Sequence, residues 1–183
     1  MIIRKEYEYD KLNWLVSAKH PYKQEISGGN NSIKYLYVHE SNDESTLKGV
    51  CTDGCRLHIL NKINEHYDLI KEPGFYKVES NKKNTIELLK VELEDNFPCY
   101  NKVIPDKDGN EVFEWNTKLD YRDTISNITL KLFFKFPEYT VLNLDFIKDM
   151  IYGINWTVHW YDSQSLVKFF AEDQLSIIMP IFK

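Results

Sequence analysis

The segment LKGVCTDGCRLHILN, residues 47–61, decides the fold of this 183-residue chain. Apolar residues lie on both sides of Asp53-Gly54, and an Asp-Gly pair between two apolar runs is the strongest short signal for a β-hairpin. The segment therefore predicts two antiparallel strands, residues 47–52 and 56–61, joined by a tight turn. A second hairpin is predicted downstream, with strands 74–78 and 85–91 around the polar residues 81–84.

The residues before the first hairpin predict one helix between two strands. Residues 4–9 fit an edge strand, and residues 33–39 fit an internal one. Asp10 is a suitable cap for a helix that runs to about Lys19, because Leu12, Leu15 and Val16 follow helical spacing. Pro21 ends this helix. The first half, about residues 1–105, is thus one helix with four or five antiparallel strands.

The second half, about residues 106–183, repeats this order. A turn at Asp108-Gly109 precedes strands at 129–136 and 139–142, and Asn143 caps a helix that ends at Gly153. Strands at 156–161, 166–170 and 175–182 follow. The apolar stripe of the helix is Leu144, Ile147, Met150 and Ile151. Two pseudo-repeated halves, each with one helix packed on an antiparallel sheet, predict an α+β layer fold for a single domain over residues 1–183.

Composition and charge exclude several classes of protein. A formal net charge of −5 lacks the basic excess of most small nucleic-acid-binding domains, so any contact with DNA requires a local basic face. No apolar run is long enough to cross a bilayer, and residues 1–6 become charged at once, unlike a secretory signal. We therefore expect a cytoplasmic protein with no membrane contact. The three cysteines, Cys51, Cys55 and Cys99, fit neither a disulfide framework nor a zinc site.

No pattern in the chain favours an enzyme. A P-loop and a dinucleotide-binding glycine pattern are absent, and His159 lies in an apolar strand where packing is its more common role. Asp106 and Asp108 lack full calcium-loop spacing. We expect no catalytic residue, metal or cofactor, although an α+β enzyme with an unrecognised pocket stays open. Trp156 and Trp160 favour a core or an interface over base stacking.

Three segments together resemble the bacterial DNA polymerase III beta subunit, the DNA sliding clamp. They are CTDGCRL at 51–57, NFPCYNKVIP at 96–105 and IIMPIF at 177–182. They match the family's T-D-G-H-R-L turn, F-P-D-Y segment and C-terminal V-M-P-M ending, in the same order. VLNLDFIKDM at 141–150 also looks like the clamp's last strand and helix. The resemblance runs from about residue 33 to residue 183.

The departures from the family pattern define a compact, diverged relative. Cys55 replaces the family's histidine and Cys99 its aspartate, while Asn101 and Lys102 stand where the family has paired basic residues. The family's chain has three domains and closes a ring as a dimer, whereas this length suits about one domain and leaves no room for a second helix before residue 96. The compact, diverged pattern suggests phage or mobile-element origin, and a composition rich in Asn, Ile and Lys suggests an AT-rich genome.

The resemblance implies a non-enzymatic processivity or recruitment factor of DNA replication that encircles double-stranded DNA as a homo-oligomer. It also implies an apolar cleft for short peptides of DNA polymerase or other replication proteins, lined by Thr52, Gly54, Cys55, Arg56, Leu57, Ile177, Met179, Pro180 and Ile181. The basic residues implied to face DNA are Arg4, Lys5, Lys11, Lys19, Lys23 and Lys148.

Simpler interpretations of these residues stay open. Asp53-Gly54 can be only a turn, the last strand can be only core, and the helix faces can be only solvated. The alternative function is a clamp-fold peptide-binding or regulatory module that does not encircle DNA.

Overall fold

A computed structural model of the chain describes residues 1–4, 10–21, 30–42, 45–106, 111–116, 142–150, 155–160 and 166–179. The chain divides into two compact units, unit 1 (Met1–Lys102) and unit 2 (Val103–Lys183). The described residues form predominantly antiparallel β-structure with short helices. Among them, no helix combines the length and the apolar character that crossing a membrane requires.

Unit 1 is an antiparallel sheet with two short helices. The described strands follow the order β1-β6-β5-β2-β3-β4. The strands are β1 (Ile2–Arg4), β2 (Leu36–Glu40), β3 (Leu47–Thr52), β4 (Arg56–Leu60), β5 (Gly74–Lys82) and β6 (Thr85–Val91). The helices are α1 (Lys11–Ser17) and α2 (Ile63–His66), and 3-10 turns form at Asn31–Lys34 and Tyr100–Val103.

Helix α1 begins as the sequence predicts and packs on β3 and β4. The Asp10 carboxylate caps it by accepting a hydrogen bond from the Leu12 amide at 2.7 Å. Its buried face comprises Leu12, Trp14, Leu15 and Val16. Gly49 of β3 lies beneath this face, where an added Cβ would stand 2.8 Å from Leu15 Cδ2 and 2.6 Å from Ile63 Cδ1. A methyl group at residue 49 would therefore force the ends of the Leu15 and Ile63 side chains to move.

Both predicted hairpins are confirmed. In the first, Thr52 pairs with Leu57 and Val50 with Ile59 across the Asp53-Gly54 turn. In the second, β5 extends four residues beyond its predicted end, so the turn is only Lys83-Asn84.

Two predictions about unit 1 are wrong. The strand predicted at 33–39 begins only at Leu36, because the Asn30 side chain accepts a hydrogen bond from the Ser32 amide at 2.8 Å and caps a 3-10 turn instead. The sequence also predicted no second helix before residue 96, but α2 forms one turn there. A run of four residues is too short to show helical periodicity.

Unit 2 is an antiparallel sheet with one described helix. The strands are β7 (Glu111–Asn116), β8 (Asn155–Trp160), β9 (Val167–Ala171) and β10 (Gln174–Ile178), in the order β10-β9-β8-β7. Helix α3 (Leu144–Asp149) is capped by Asn143, which accepts from the Asp145 amide at 2.9 Å, as predicted. The Trp156 indole donates to the Met150 carbonyl at 2.9 Å and fixes the end of α3 over the sheet.

The described residues cover only part of the second half, which was predicted to repeat the order of the first. Strand β7 was not predicted. The turn at 108–109, the strand at 129–136, residues 139–141, Ile151 and Gly153 lie outside the described residues. The equivalence of the two halves therefore stays a prediction.

Candidate functional site

The β3–β4 turn, one side of the predicted peptide cleft, is fixed by its own side chains. Asp53 Oδ1 accepts hydrogen bonds from the Cys55 and Arg56 amides, both at 2.9 Å. Thr52 Oγ1 donates to the Arg56 carbonyl at 2.7 Å and accepts from the Gly54 amide at 3.1 Å. Gly54 has a φ of +89°, which glycine adopts without strain, and nothing lies within 4 Å of its Cβ position. Gly54 and Cys55 thus form an exposed, ordered tip.

Arg56 ties this turn to the end of α1. Its Nε lies 3.0 Å from Asp53 Oδ2, and its Nη2 donates to the Ser17 carbonyl at 2.6 Å. The guanidinium therefore sits at the negative end of the helix dipole, with the Arg56 side chain only 12% exposed. Arg56 thus links the β3–β4 turn to the last residue of α1.

A histidine of β4 and a tryptophan of α1 stack on each other. The rings of His58 and Trp14 lie 4.6 Å apart and are nearly parallel, and His58 Nδ1 is 2.8 Å from the Trp14 carbonyl oxygen. Burial lowers the pKa of His58 to about 3, against the opposing effect of this hydrogen bond. The ring is therefore neutral at pH 7 and Nδ1 donates. Burial also raises the pKa of the neighbouring Cys51 thiol, so this cysteine is not nucleophilic.

The residues predicted to line the cleft divide into exposed and buried sets. Gly54, Cys55 and Met179 are exposed, Met179 by 40%. Leu57 and Ile177 are core residues, 3% and 1% exposed, in units 1 and 2 respectively. Thr52 is half-buried, and Pro180 and Ile181 lie outside the described residues.

The cations predicted to face DNA belong to both units, and their common surface stays a prediction. Arg4 alternates in β1 with buried Ile3, which lies on the sheet face that α1 covers, so Arg4 points to the opposite face. Lys11 and Lys19 are half-buried at the two ends of α1, and burial lowers the pKa of Lys19. Lys148 Nζ on α3 is bound to Asp145 Oδ1 at 2.5 Å. Lys5 and Lys23 lie outside the described residues.

The segment that contains Phe97 and Tyr100 is a strap across unit 1. The Phe97 ring stacks on Tyr37 at 4.8 Å, and Tyr100 Oη lies 2.6 Å from His39 Nε2. Tyr37 and His39 alternate with buried Leu36 and Val38, so the strap lies on the sheet face opposite α1. Burial raises the pKa of Tyr100 to about 12. Phe97 and Tyr100 thus hold the strap against β2.

The sequence analysis did not predict the stacked pair of Trp14 and His58. Trp14 belongs to the buried face of α1, and His58 lies on the same face of β4 as Leu60, the face that α1 covers. Among the described residues, no three His, Cys, Asp or Glu side chains converge as a metal site would require.

No protein-family model matches the chain, and neither does any curated protein sequence. Solved structures match along its full length. DNA polymerase III subunit beta from Borrelia burgdorferi is 15% identical with a TM-score of 0.59, and the match covers 100% of this chain and 63% of that one. A Helicobacter pylori beta clamp bound to a DNA ligase peptide is 12% identical with a TM-score of 0.59, and the coverages are 100% and 66%.

The DNA polymerase III beta subunit of Thermotoga maritima, 15% identical with a TM-score of 0.58, matches 100% of this chain and 65% of its own. This chain therefore spans just under two thirds of the length of these proteins. The similarity shows a clamp-like fold, which confirms the fold that the sequence resemblance implied.

Proposed function

We propose that this protein is a sliding-clamp-like processivity or recruitment factor of DNA replication. The observation that carries the proposal is the match of the entire chain to beta clamps from several bacteria. Such a factor works by topology and docking, so the proposal includes no catalytic step, metal or cofactor, and it places the protein in the cytoplasm.

Encirclement of DNA requires several copies joined through sheet edges. Among the described strands, β1 pairs with β6 alone and β7 pairs with β8 alone. We propose that these two strands supply the edges that join one copy to the next. The two strands carry exposed side chains of opposite charge, Arg4 on β1 and Glu114 on β7. Pairing β1 of one copy with β7 of the next would bring these charges together.

The charges on the two edges supply the assembly test. Multi-angle light scattering should show an oligomer that Arg4→Glu dissociates, and adding Glu114→Arg to that variant should restore it. Lys71→Glu, at an exposed position of unit 1 outside both edges, is the matched control. A strict monomer at all concentrations contradicts the ring version of the proposal.

The proposal also includes peptide docking, which the resemblance assigned to residues of both units. In unit 1, Gly54 and Cys55 offer an accessible backbone, and in unit 2, Met179, which follows β10, offers an adaptable apolar side chain. A DNA ligase peptide binds the Helicobacter pylori clamp, and we propose the same kind of partner here. Met179→Asp should weaken binding of a fluorescent clamp-binding peptide at least tenfold. Leu69→Asp, which alters a 55% exposed residue, should leave it unchanged.

DNA retention separates the two versions of this function. A ring should remain on nicked circular DNA during gel filtration and should slide off the same DNA after linearisation. Equal retention of circles and linear molecules, or retention of neither, contradicts encirclement.

The second candidate is a clamp-fold peptide-binding or regulatory module that does not encircle DNA. Its support is the electrostatics of the predicted DNA surface, because Lys148 is neutralised by Asp145 and Arg4 points away from the α1 face. This version predicts peptide binding that depends on Met179 without retention on circular DNA.

A further inference from the structure

The hairpin between β5 and β6 ends in a basic surface, of which the proposed ring assembly uses only the neighbouring Arg4 of β1. Lys82 and Lys83 are exposed at its end. Thr85 pairs with Lys82 on one side and with Arg4 on the other, so Arg4 lies in the same row. Two strand spacings place the backbones of Arg4 and Lys82 about 10 Å apart. We name Arg4, Lys82 and Lys83 the basic tip.

The carboxylates nearest to the basic tip have other partners. Glu79 is bound by Lys77 at 2.7 Å, and Glu87 accepts a hydrogen bond from Ser80 at 3.3 Å. None of the three tip cations has an ion pair within the described ranges. The hydrogen bond from Ser80 leaves the negative charge of Glu87 in place, but the three tip cations outnumber it. Among the described residues, a local positive potential therefore persists at this corner of a chain whose formal net charge is −5.

The backbone holds these cations in a defined arrangement. The pairing of β5 with β6 shifts between Val78 and Ser80, which indicates a β-bulge just before the hairpin end. Bulges increase the local twist and redirect the side chains that follow. Arg4 and Lys82 share the face of Thr85, which is opposite the face that α1 covers.

We propose that the basic tip binds the phosphate backbone of nucleic acid without regard to sequence. Residues 80–85 are Ser, Asn, Lys, Lys, Asn and Thr, and with Arg4 they consist entirely of residue types that contact phosphate oxygens in protein–DNA interfaces. An acidic peptide is a poorer ligand, because protein interfaces depend on apolar anchors and residues 80–85 contain none. The site lies outside the α1 face, and Lys82 and Lys83, the two residues that the test replaces, have no part in the proposed pairing of β1 with β7.

The test measures the salt dependence of binding to a 30-base-pair linear duplex by fluorescence anisotropy. Three phosphate contacts give a slope of log K against log salt of about −2.7, from about 0.9 per contact. Lys82→Ala with Lys83→Ala should reduce the magnitude of the slope by about 1.8. The matched control combines Lys71→Ala with Lys102→Ala, which makes the same change in net charge at exposed positions outside the tip.

The expected result is a loss of slope in the tip variant and an unchanged slope in the control variant. Equal losses in both variants would mean a response to net charge alone and would overturn the proposal. Binding of a ten-residue polyglutamate peptide that depends on Lys82 and Lys83, without such binding of the duplex, would also overturn it. Because the duplex is short and linear, a negative result in this assay does not change the expected retention on circular DNA. In the same way, a failure of encirclement does not change the result expected in this assay.

Discussion

Acidification should destabilise unit 1 through the buried His58 ring. Its pKa is 6.5 in an exposed reference state and about 3 in the fold. The unfolded chain therefore takes up a proton between these values while the folded chain does not. The stabilisation is complete above pH 6.5 and is lost as the pH falls from 6.5 towards 3. Linkage gives a loss of about 2 kcal/mol between pH 7 and pH 5, within a total of about 5 kcal/mol.

Urea unfolding monitored by tryptophan fluorescence at pH 7 and pH 5 measures this loss. His58→Gln removes the titrating ring, so the variant should be less stable at pH 7 but should lose about 2 kcal/mol less than the wild type on acidification. His66→Gln changes an exposed histidine and should retain the wild-type response. If wild type and His58→Gln lose the same stability between the two pH values, the assignment of His58 as a buried neutral ring is refuted.

Three further substitutions test the packing of unit 1, each by urea unfolding at pH 7. Gly49→Ala should cost about 1–3 kcal/mol, because the new methyl group meets Ile63 at 2.6 Å and Leu15 at 2.8 Å, and unchanged stability would contradict this close packing. Arg56→Gln should cost about 2 kcal/mol by breaking the link to Asp53 and α1, and Arg56→Lys should restore only part of it, since an ammonium group cannot reproduce the guanidinium fork. Phe97→Ala should cost about 2 kcal/mol through loss of aromatic packing, and its neighbour Cys99→Ala, at an exposed position, should cost almost nothing.

Local chemistry made much of the fold predictable. The cap residues Asp10 and Asn143 begin their helices where the sequence places them, because a side-chain oxygen two residues before a free amide satisfies it directly. The Asp53-Gly54 turn is also set by local chemistry. Gly54 has a positive φ, which glycine adopts without strain, so the turn forms at this position. These signals involve neighbouring residues and need no tertiary context.

The arrangement of the site depends on contacts between distant parts of the chain. The sequence does not show that Arg56 reaches the carbonyl of Ser17, 39 positions earlier, or that Arg4 and Lys82 meet through Thr85. It also favours a strand at residues 33–35, where the Asn30 cap gives a 3-10 turn. The sequence also does not show that Leu57 and Ile177 are buried, since the resemblance names positions without giving their burial.

The strap also determines which peptide bonds of the native chain a protease can cut. Enzymes that cleave after aromatic residues need several neighbouring residues in an extended conformation, free of the protein surface. Phe97 and Tyr100 are held by ring stacking on Tyr37 and by the bond to His39, so these sites are protected although the surrounding sequence is polar. The bond after Phe97 precedes Pro98 and resists chymotrypsin even in an unfolded chain, so the bond between Tyr100 and Asn101 is the informative one. Limited chymotrypsin digestion should leave that bond intact until unit 1 unfolds, which makes its cleavage rate a direct measure of the opening of unit 1.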